Sequence, residues 1–440
     1  MITITDKQNC CGCSACSSIC PKHCITMRAD NEGFLYPIVN ETDCIDCGLC
    51  EKVCNELHPY EKREPLKVLA AINKDEEVRL KSSSGGIFHI LAQKTISEGG
   101  VVFGARFDEQ WQVVIDYAED MKGVEAFMGS KYVQACMETA YEDAKRFLTE
   151  GRKVLFSGTP CQIAGLHKFL RKRYDNLLSV DFICHGTPSP KVWSLYLEEV
   201  IKRGQRISSV EFRNKAKGWK NFSFHLRYNE EDKSTSMLSP FSQNHYMKAF
   251  LRDIILRPSC YACKAKGCSS QSDLTIADFW GIHTVFPEMD DDKGTGLVFI
   301  NTEKGQQALD FTRIQVRETT YDRIKPLNPS CDRSVAPHPK RETFFARLGK
   351  ENLIDLINDC TKPTTKQQVR LQLNRCKSLI KRLIKCIGGG EIEPLRRKVS
   401  NETAIYSIPE NPKIVSVCFR NKDNGWKGYN MEIIIDAKSI

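Results

Sequence analysis

The chain has 440 residues, more than one hydrophobic core usually supports, so we expect two or three domains. Apolar residues make up 41% and charged residues 27%, and no uncharged apolar run is long enough to cross a membrane, which is typical of a soluble globular protein without a transmembrane segment. The net charge of +9 is concentrated in residues 366–398, where ten Lys or Arg and two Glu give +8, so it does not predict nucleic-acid binding by the rest of the chain.

The N-terminus lacks the basic stretch and apolar core of a signal peptide, so we expect a cytoplasmic protein. The sequence contains 21 cysteines. In a reducing compartment, this number indicates metal ligation rather than disulfide bonds.

Two cysteine runs with the spacing C-x2-C-x2-C-x3-C open the sequence. This is the spacing of bacterial ferredoxins, in which three thiolates of a run bind one 4Fe-4S cluster while the fourth, at the start of a helix, reaches the other cluster. We predict that the first cluster is bound by Cys10, Cys13, Cys16 and Cys54. We predict that the second cluster is bound by Cys20, Cys44, Cys47 and Cys50.

Residues 23–27 and 33–39 are predicted to be strands around a turn at residues 30–33, which completes a dicluster ferredoxin fold over residues 1–62. A zinc ribbon or a disulfide-rich module would not contain two copies of the full cysteine run. Cys11 and Cys24 fall outside the spacing, and we expect them to be packing residues.

Residues 66–345 alternate apolar runs of strand length with helical patterns. The predicted strands cover residues 66–73, 100–107, 153–157 and 178–184. The predicted helices cover residues 86–97, 135–150 and 164–172. This order predicts a mixed α/β domain, and with the ferredoxin module the fold class of the whole chain is α+β.

Ser84, Gly85 and Gly86 precede the helix predicted from residue 86, where free backbone N–H groups favour a phosphate or pyrophosphate. A Ser-Gly turn that only caps the helix is the alternative. Lys131 and Tyr132 add a cation and an aromatic ring that suit an anionic, planar cofactor, although an exposed lysine would look the same in the sequence.

Two predicted strands end in small-residue turns, where loops commonly hold ligands. Gly158 and Thr159 lie in the first turn, together with Cys161, and the second contains Cys184 and His185. His185 is a candidate proton donor or a structural hydrogen-bond partner.

Cys260 and Cys263 form a further C-x2-C pair, which cannot hold a cubane alone. Together with Cys161 and Cys184, the pair would make a four-thiolate site, and we predict a third 4Fe-4S cluster there. Zinc, a redox dithiol, or Cys268 in place of one ligand remain alternatives.

Over about residues 1–345 the sequence resembles the coenzyme F420 hydrogenase/dehydrogenase beta-subunit family, in the branch with an N-terminal dicluster ferredoxin domain. The resemblance rests on six blocks in order: SSSGGIF at 82–88, GSKYVQ at 129–134, LFSGTPCQIAGL at 155–166, VDFICHGTPSP at 180–190, RPSCYAC at 257–263 and DLTIADFWGI at 273–282.

The resemblance implies a flavin-dependent iron-sulfur oxidoreductase that relays electrons between 4Fe-4S clusters and FAD, with a redox partner protein or ferredoxin and a small-molecule acceptor. It also implies a role in surface-polysaccharide biosynthesis rather than with coenzyme F420 itself. The implied flavin contacts are Ser84, Gly85, Gly86, Lys131 and Tyr132, and the implied internal cluster is bound by Cys161, Cys184, Cys260 and Cys263. A non-enzymatic electron-transfer or partner-binding protein without flavin is the alternative function.

Residues 346–440 are predicted to be a basic helical extension with a short hairpin repeat. An amphipathic basic helix is predicted over residues 366–387. Residues 414–433 repeat residues 207–226 with about half the positions identical, and both copies read as two strands around a Gly-Trp turn.

Overall fold

The computed structural model describes residues 1–230 and 233–362, and the backbone of residues 404–406, 416–421 and 431–436. Contacts divide the chain into two compact units, Met1–Thr361 and Lys362–Ile440. Our predicted boundaries, at 62–66 and 345–346, lie within the first of these units. Over the described ranges, no helix has both the length and the apolar character needed to cross a membrane.

The strands of the first unit are β1 Ile25–Ala29, β2 Leu35–Val39, β3 Lys67–Asn73, β4 Val101–Phe107, β5 Val113–Ala118, β6 Val154–Gly158, β7 Leu177–Phe182, β8 Arg206–Asn214, β9 Ser223–Glu230, β10 Lys233–Pro240, β11 Leu274–Asp278, β12 Gly296–Ile300 and β13 Ile314–Thr319. The α-helices are α1 Ala15–Ser18, α2 Leu49–Lys52, α3 Glu76–Lys81, α4 Ile87–Ser97, α5 Met121–Val124, α6 Ala140–Thr149, α7 Pro160–Leu170, α8 Pro190–Val200, α9 His245–Leu251, α10 Ile282–Val285, α11 Glu303–Ala308, α12 Tyr321–Ile324, α13 Arg341–Arg347 and α14 Leu353–Thr361.

Strands β1 and β2 form an antiparallel hairpin near the N-terminus, with Ile25 opposite Val39. Both strands start two residues later than predicted. His23 has a φ of 49°, a left-handed conformation that cannot continue a strand. Asp30 Oδ1 accepts hydrogen bonds from the backbone N–H groups of Glu32 and Phe34, which extends the turn by one residue beyond the predicted end.

An eight-stranded mixed sheet forms the centre of the larger part, in the order β13-β3-β12-β11-β7-β6-β4-β5. Strands β4, β6, β7 and β11 run parallel, and the others pair antiparallel. Every residue of β12 is buried, and β3 is buried after its first residue, as expected for strands covered on both faces. The predicted α+β class with a mixed α/β core is therefore confirmed.

Two helices differ from their predicted bounds. Residues 135–139 are not helical, because Cys136 forms a strand bridge with Val114 of β5 through hydrogen bonds to Val113 and Ile115, so that α6 begins only at Ala140. Helix α7 begins four residues earlier than predicted, since Pro160 occupies its first turn and Thr159 forms a capping box with Gln162. The turn at the end of β6 is consequently a helix N-terminus.

A second sheet, in the order β10-β9-β8, packs with α8, α9 and α14 around an aromatic core. Trp193, Phe212, Phe224 and Tyr246 lie at the centre of this core, each with 1% or less of its surface exposed. Because α14 contributes to the same core, residues 353–361 pack with the body of the first unit rather than with a C-terminal extension.

The second unit contains β14 Ala404–Tyr406, β15 Ser416–Asn421 and β16 Met431–Asp436, which pair antiparallel in that order. Strands β15 and β16 cover the second copy of the repeat, and β8 and β9 cover the first, so both copies form an antiparallel strand pair. The predicted basic helix at residues 366–387 lies outside the described residues.

Candidate functional site

Thiols border two hollows in the N-terminal part of the chain. The volumes of the first and second hollows are about 330 and 360 Å³, including the solvent at their mouths. The motif cysteines at the first hollow are Cys10, Cys13, Cys16 and Cys54. Those at the second hollow are Cys20, Cys44, Cys47 and Cys50. Each hollow thus combines three cysteines of one run with the fourth of the other, and four thiolates are the donor set that a 4Fe-4S cluster requires.

The two cysteine runs follow the same backbone path. Gly12 and Ser14 have φ angles of 69° and 65°, and at the matching positions Asp46 and Gly48 have φ angles of 50° and 71°. Left-handed residues before and after the second cysteine turn the chain sharply, so that its thiols face one hollow. The third cysteine of each run lies in α1 or α2 and the fourth follows the helix, so the expectation that the fourth begins a helix is wrong.

The two hollows differ in their access to solvent. Cys47 at the second hollow is exposed, and the adjacent Ile45 keeps 57% of its surface exposed. At the first hollow, Cys10 and Cys16 are buried, as is the neighbouring Glu56. A cluster in the second hollow would therefore be the one closer to an external partner.

The four cysteines of the predicted third site lie near one another. Cys161 lies in the first turn of α7, Cys184 follows β7, and the short 3-10 turn Pro258–Ala262 holds Cys260 and ends at Cys263. Burial raises the pKa of Cys184 well above its usual range; the charge of Lys266 opposes this, and the nearby charges of the other three thiolates add to it. Four neighbouring, partly buried thiols that oppose one another's ionisation are stabilised as thiolates by a bound metal, which fits a metal cluster.

Cys268, the alternative ligand, has different neighbours from the four cysteines of the third thiol group. Burial raises its pKa to about 12, and the charges of Asp181 and Cys331 add to this effect. Cys268 and Cys331 pack in the same hydrophobic cluster. These contacts favour the original four cysteines over a set that includes Cys268.

The third thiol group contacts the first hollow. The Cys11 thiol borders the first hollow and lies close to the thiols of Cys13 and Cys161, although we expected Cys11 to be a packing residue. Helix α7 also packs on this loop, because a Cβ atom on Gly165 would lie only 3.1 Å from Cys13 Sγ. The first and third sites are therefore neighbours.

The serine loop, residues 82–86, packs at the end of β3 and the start of β12 in the large sheet. Ser84 Oγ donates a hydrogen bond to the Thr295 carbonyl at 2.8 Å. A Cβ atom on Gly85 would lie 2.3 Å from the Ala71 carbonyl oxygen, so only glycine fits. Gly86 caps α4 with a φ of 81°, which leaves the first N–H groups of the helix without a side-chain cap.

The turn that contains Lys131 lies beside this loop. Ser130 N–H donates to Ser83 Oγ at 2.8 Å, which joins the two predicted cofactor regions. Lys131 Nζ donates to the carbonyls of Met128 and Gly129, and burial lowers its pKa to about 7. An anionic ligand would restore the protonated form of this lysine.

Tyr132 and His185 both contact the aromatic ring of Phe250. The Tyr132 ring stacks on Phe250 at a centroid distance of 4.6 Å, and the imidazole of His185 meets Phe250 edge-on at 5.3 Å. His185 Nε2 lies 2.6 Å from Asp253 Oδ1, so the imidazole has a carboxylate partner. Tyr132 therefore packs in the core, and His185 is oriented by Asp253.

Gly158 and Thr159 close the N-terminal turn of α7. Thr159 N–H donates to Gln162 Oε1 at 2.9 Å, and Thr159 Oγ1 lies 3.1 Å from Cys161 Sγ. Both residues hold the start of the helix that carries Cys161, next to the third thiol group.

Residues 151–322 match the family model that describes the C-terminal region of the coenzyme F420 hydrogenase/dehydrogenase beta subunit. Over this segment the chain is similar to the coenzyme F420 hydrogenase/dehydrogenase beta-subunit family. The resemblance predicted from the sequence blocks is confirmed. The matched segment contains the third thiol group, whereas both cysteine runs and the serine loop precede it.

Among solved structures, the chain is similar to a chain of the F420-reducing NiFe hydrogenase complex from Methanosarcina barkeri, reported in a xenon-derivatised form. The two chains are 18% identical with a TM-score of 0.42, and the match covers 67% of this chain and 95% of that chain. No curated protein matches the sequence.

The family segment also contains an ion-paired aromatic group that the sequence analysis missed. Arg213 forms an ion pair with Asp278, whose other oxygen accepts a hydrogen bond from Trp219 Nε1 at 2.7 Å. Trp219 stacks on Trp280 with centroids 4.9 Å apart and planes 3° from parallel. Lys215 Nζ in the same segment donates to the Ser84 carbonyl at 3.0 Å.

The internal repeat is the sequence feature that could have identified this group of side chains. Arg213, Lys215 and Trp219 are among the positions that are identical in residues 207–226 and 414–433. In the first copy these side chains contact residues outside their own hairpin. The identity of the two copies at these three positions is therefore explained by side-chain contacts rather than by a preference for strand structure.

Proposed function

We propose that the chain is an iron-sulfur flavoprotein oxidoreductase that relays electrons from the N-terminal 4Fe-4S clusters, through a third cluster, to FAD and an organic substrate. The observation that carries this proposal is the packing of α7, whose first turn holds Cys161, against the first thiol loop, where a Cβ atom on Gly165 would lie 3.1 Å from Cys13 Sγ. Adjacent clusters allow electron transfer, and separate structural metal sites would not require the contact.

Electrons enter at the second hollow in this proposal. Cys47 and Ile45 give a redox partner protein or ferredoxin an exposed thiol loop with an apolar contact beside it. The first hollow lies further inward, between the second hollow and the third thiol group. The order of transfer is therefore second cluster, first cluster, third cluster.

Residues 130–134 support a flavin within reach of the third cluster. Ser130 bonds to the serine loop, and Gln134 Nε2 donates to the Cys11 carbonyl at 3.5 Å. The stretch from Ser130 to Gln134 spans at most about 14 Å of extended chain, so a flavin at the serine loop would lie near the first thiol loop. FAD, when bound, exchanges single electrons with the clusters and electron pairs with an organic substrate.

The residues around the serine loop fit the anionic part of FAD. The uncapped start of α4 offers backbone N–H groups to a phosphate, and Lys131 adds an amino group whose hydrogen-bond partners, in the part of the chain that the structure describes, are two carbonyls. His185, held by Asp253, is the proposed proton donor to the substrate. The family resemblance suggests an acceptor that takes part in surface-polysaccharide biosynthesis.

The test is the cofactor content of protein purified without oxygen. Three clusters predict about 12 Fe per chain, with one FAD released by acid. Cys263→Ser should remove about four Fe, whereas the matched variant Cys268→Ser, a buried thiol outside the group, should leave the iron content unchanged. Equal iron loss in both variants would contradict the assigned ligands.

A second candidate is an electron carrier without flavin. Two observations favour it: the Ser83 and Ser84 hydroxyls are satisfied within the protein, and Tyr132 packs on Phe250. This function predicts about eight Fe and no flavin.

A further inference from the structure

Arg257 joins the third thiol group to the first thiol loop. Its backbone N–H donates to the Thr187 carbonyl at 2.9 Å, and its own carbonyl accepts from Cys260 N–H at 3.0 Å. Thr187 N–H in turn lies 3.3 Å from Cys260 Sγ. The backbone of Arg257 is therefore fixed to the turn that presents Cys260.

The side chain of Arg257 contacts the first thiol loop instead. Nε donates to the Cys10 carbonyl at 2.7 Å, and Nη2 lies 3.4 Å from Cys10 Sγ. Nη2 also donates to the Leu35 carbonyl at 2.9 Å, and Nη1 donates to Gln134 Oε1 at 3.2 Å. A Cβ atom on Gly12 would lie 2.8 Å from Nη1, so this glycine lets the loop reach the guanidinium.

The hydrogen-bond acceptors around the buried charge of Arg257 are themselves uncharged, while the buried carboxyl of Glu56 at the first hollow interacts with it electrostatically. Only 1% of the residue is exposed, and its acceptors are two carbonyls, one amide oxygen and a thiol. The guanidinium also lies 4.2 Å from the centroid of the Tyr36 ring. Burying a cation without a carboxylate at bonding distance is costly, and the thiolates of an iron-sulfur cluster would supply the missing negative charge.

We propose that Arg257 is a positioning residue that holds the reduction potential of the first cluster above that of the second. This inference rests on the proposed function. Adding one electron makes a cluster more negative, so a buried cation and a hydrogen bond to Cys10 Sγ stabilise the reduced form more than the oxidised form. One electron then leaves the second cluster, which is oxidised, and reduces the first.

Among the described residues, the cations that border the second hollow are not buried. They are Lys22, which is exposed to solvent, and the N-terminal ammonium of Met1, which pairs with Asp46 and Glu51. Solvent and salt screen an exposed charge more strongly than a buried one. The difference between Arg257 and Lys22 gives the electron a direction, from the exposed cluster inward.

The experiment is a redox titration of full-length protein, prepared without oxygen and followed by the paramagnetic signals of the reduced clusters. The signal that disappears in Cys47→Ser identifies the second cluster. Arg257→Met should make reduction of the first cluster at least tenfold less favourable, which equals about 59 mV for one electron. Arg257→Gln, which keeps a donor, should shift it less, and Arg257→Lys should restore most of the potential.

Arg63→Met is the matched control. The Arg63 guanidinium is also partly buried and donates to two backbone carbonyls, those of Cys268 and Ser272, and neither acceptor is a thiol of a predicted cluster ligand. Its removal should leave both potentials unchanged.

The inference is overturned if Arg257→Met or Arg257→Gln keeps the wild-type iron content and its first cluster reduces at the wild-type potential. It is also overturned if Arg63→Met shifts the potential equally. Wild-type protein without iron or cluster signals would instead refute the proposed function, so the two failures are distinguishable. If Arg257→Met does not fold, Arg257→Gln and Arg257→Lys decide the question.

Discussion

Glu32 and Arg341, 309 residues apart in the sequence, form a bidentate ion pair in which both carboxylate oxygens accept hydrogen bonds from the guanidinium. Only 17% and 11% of the two side chains are exposed. Arg341 Nη2 also donates to the Leu256 carbonyl at 2.9 Å, so the turn between β1 and β2 is attached to the body of the unit. This contact fixes the N-terminal module beside the turn that carries Arg257.

Replacing Glu32 with Ala should lower the free energy of unfolding by about 3 kcal/mol, because it leaves the Arg341 guanidinium poorly exposed without its carboxylate. Glu119→Ala is the control, since Glu119 pairs with Arg152 on the surface with 51% of its side chain exposed, and it should cost less than about 1 kcal/mol. Urea unfolding of the metal-free chain measures both, and equal losses would show that the Glu32 pair adds nothing.

Much of the fold could be predicted because the signals are local. The apolar run at 66–73 and the glycines before residue 87 lie within single elements, and the structure places β3 and α4 there within one residue. Helix α6 was predicted too long because the helical periodicity of 135–139 competes with a strand bridge from Cys136 to Val114, a contact that local pattern does not show.

In the candidate site, too, the local features could be predicted and the contacts between distant segments could not. Cysteine spacing predicted which thiols border each hollow, because each run is one short loop. Contacts between distant segments could not be predicted: Arg257 reaches Cys10 across 247 residues, and Lys215 reaches Ser84 across 131. Neither arginine nor lysine has a spacing rule that identifies such a partner.

Cys47→Ser should remove about four Fe and the signal of one cluster, because it deletes a ligand of the second hollow. Cys24 borders the same hollow with its Sγ 3.4 Å from Cys20 Sγ, yet lies outside the motif, so Cys24→Ser should retain all iron. Iron analysis of the two purified variants decides this, and loss of iron from Cys24→Ser would mean that the ligand set of the second cluster differs.

Gly85→Ala should lower the free energy of unfolding by about 2 kcal/mol and abolish flavin retention, because the new methyl group would meet the Ala71 carbonyl and displace the serine loop. Gly99→Ala is the control, with a φ of 72° and open space around the added carbon, and should cost about 1 kcal/mol while flavin is retained. The readouts are the urea unfolding midpoint and the flavin-to-protein ratio. Normal flavin content in Gly85→Ala would remove the serine loop from the flavin site.

The affinity for FAD should weaken as pH rises above about 7. Burial lowers the pKa of Lys131 to about 7 in the free protein, so below that pH the lysine is protonated before FAD binds. An anionic ligand favours the protonated form and raises this pKa. Above pH 7, binding must therefore take up a proton, and the dissociation constant should rise by up to about tenfold per pH unit until the pKa of the complex is reached.

Lys131→Met should bind FAD more weakly below pH 7 and lose this pH dependence, because its side chain cannot be protonated. Lys62→Met is the control, since Lys62 is largely exposed and pairs with Asp332, and it should keep the wild-type profile. Flavin titrations of the metal-free chain between pH 6 and 9 measure the three profiles. If Lys131→Met followed the wild-type curve, the proton would be taken up elsewhere and Lys131 would not contact the anionic part of the flavin.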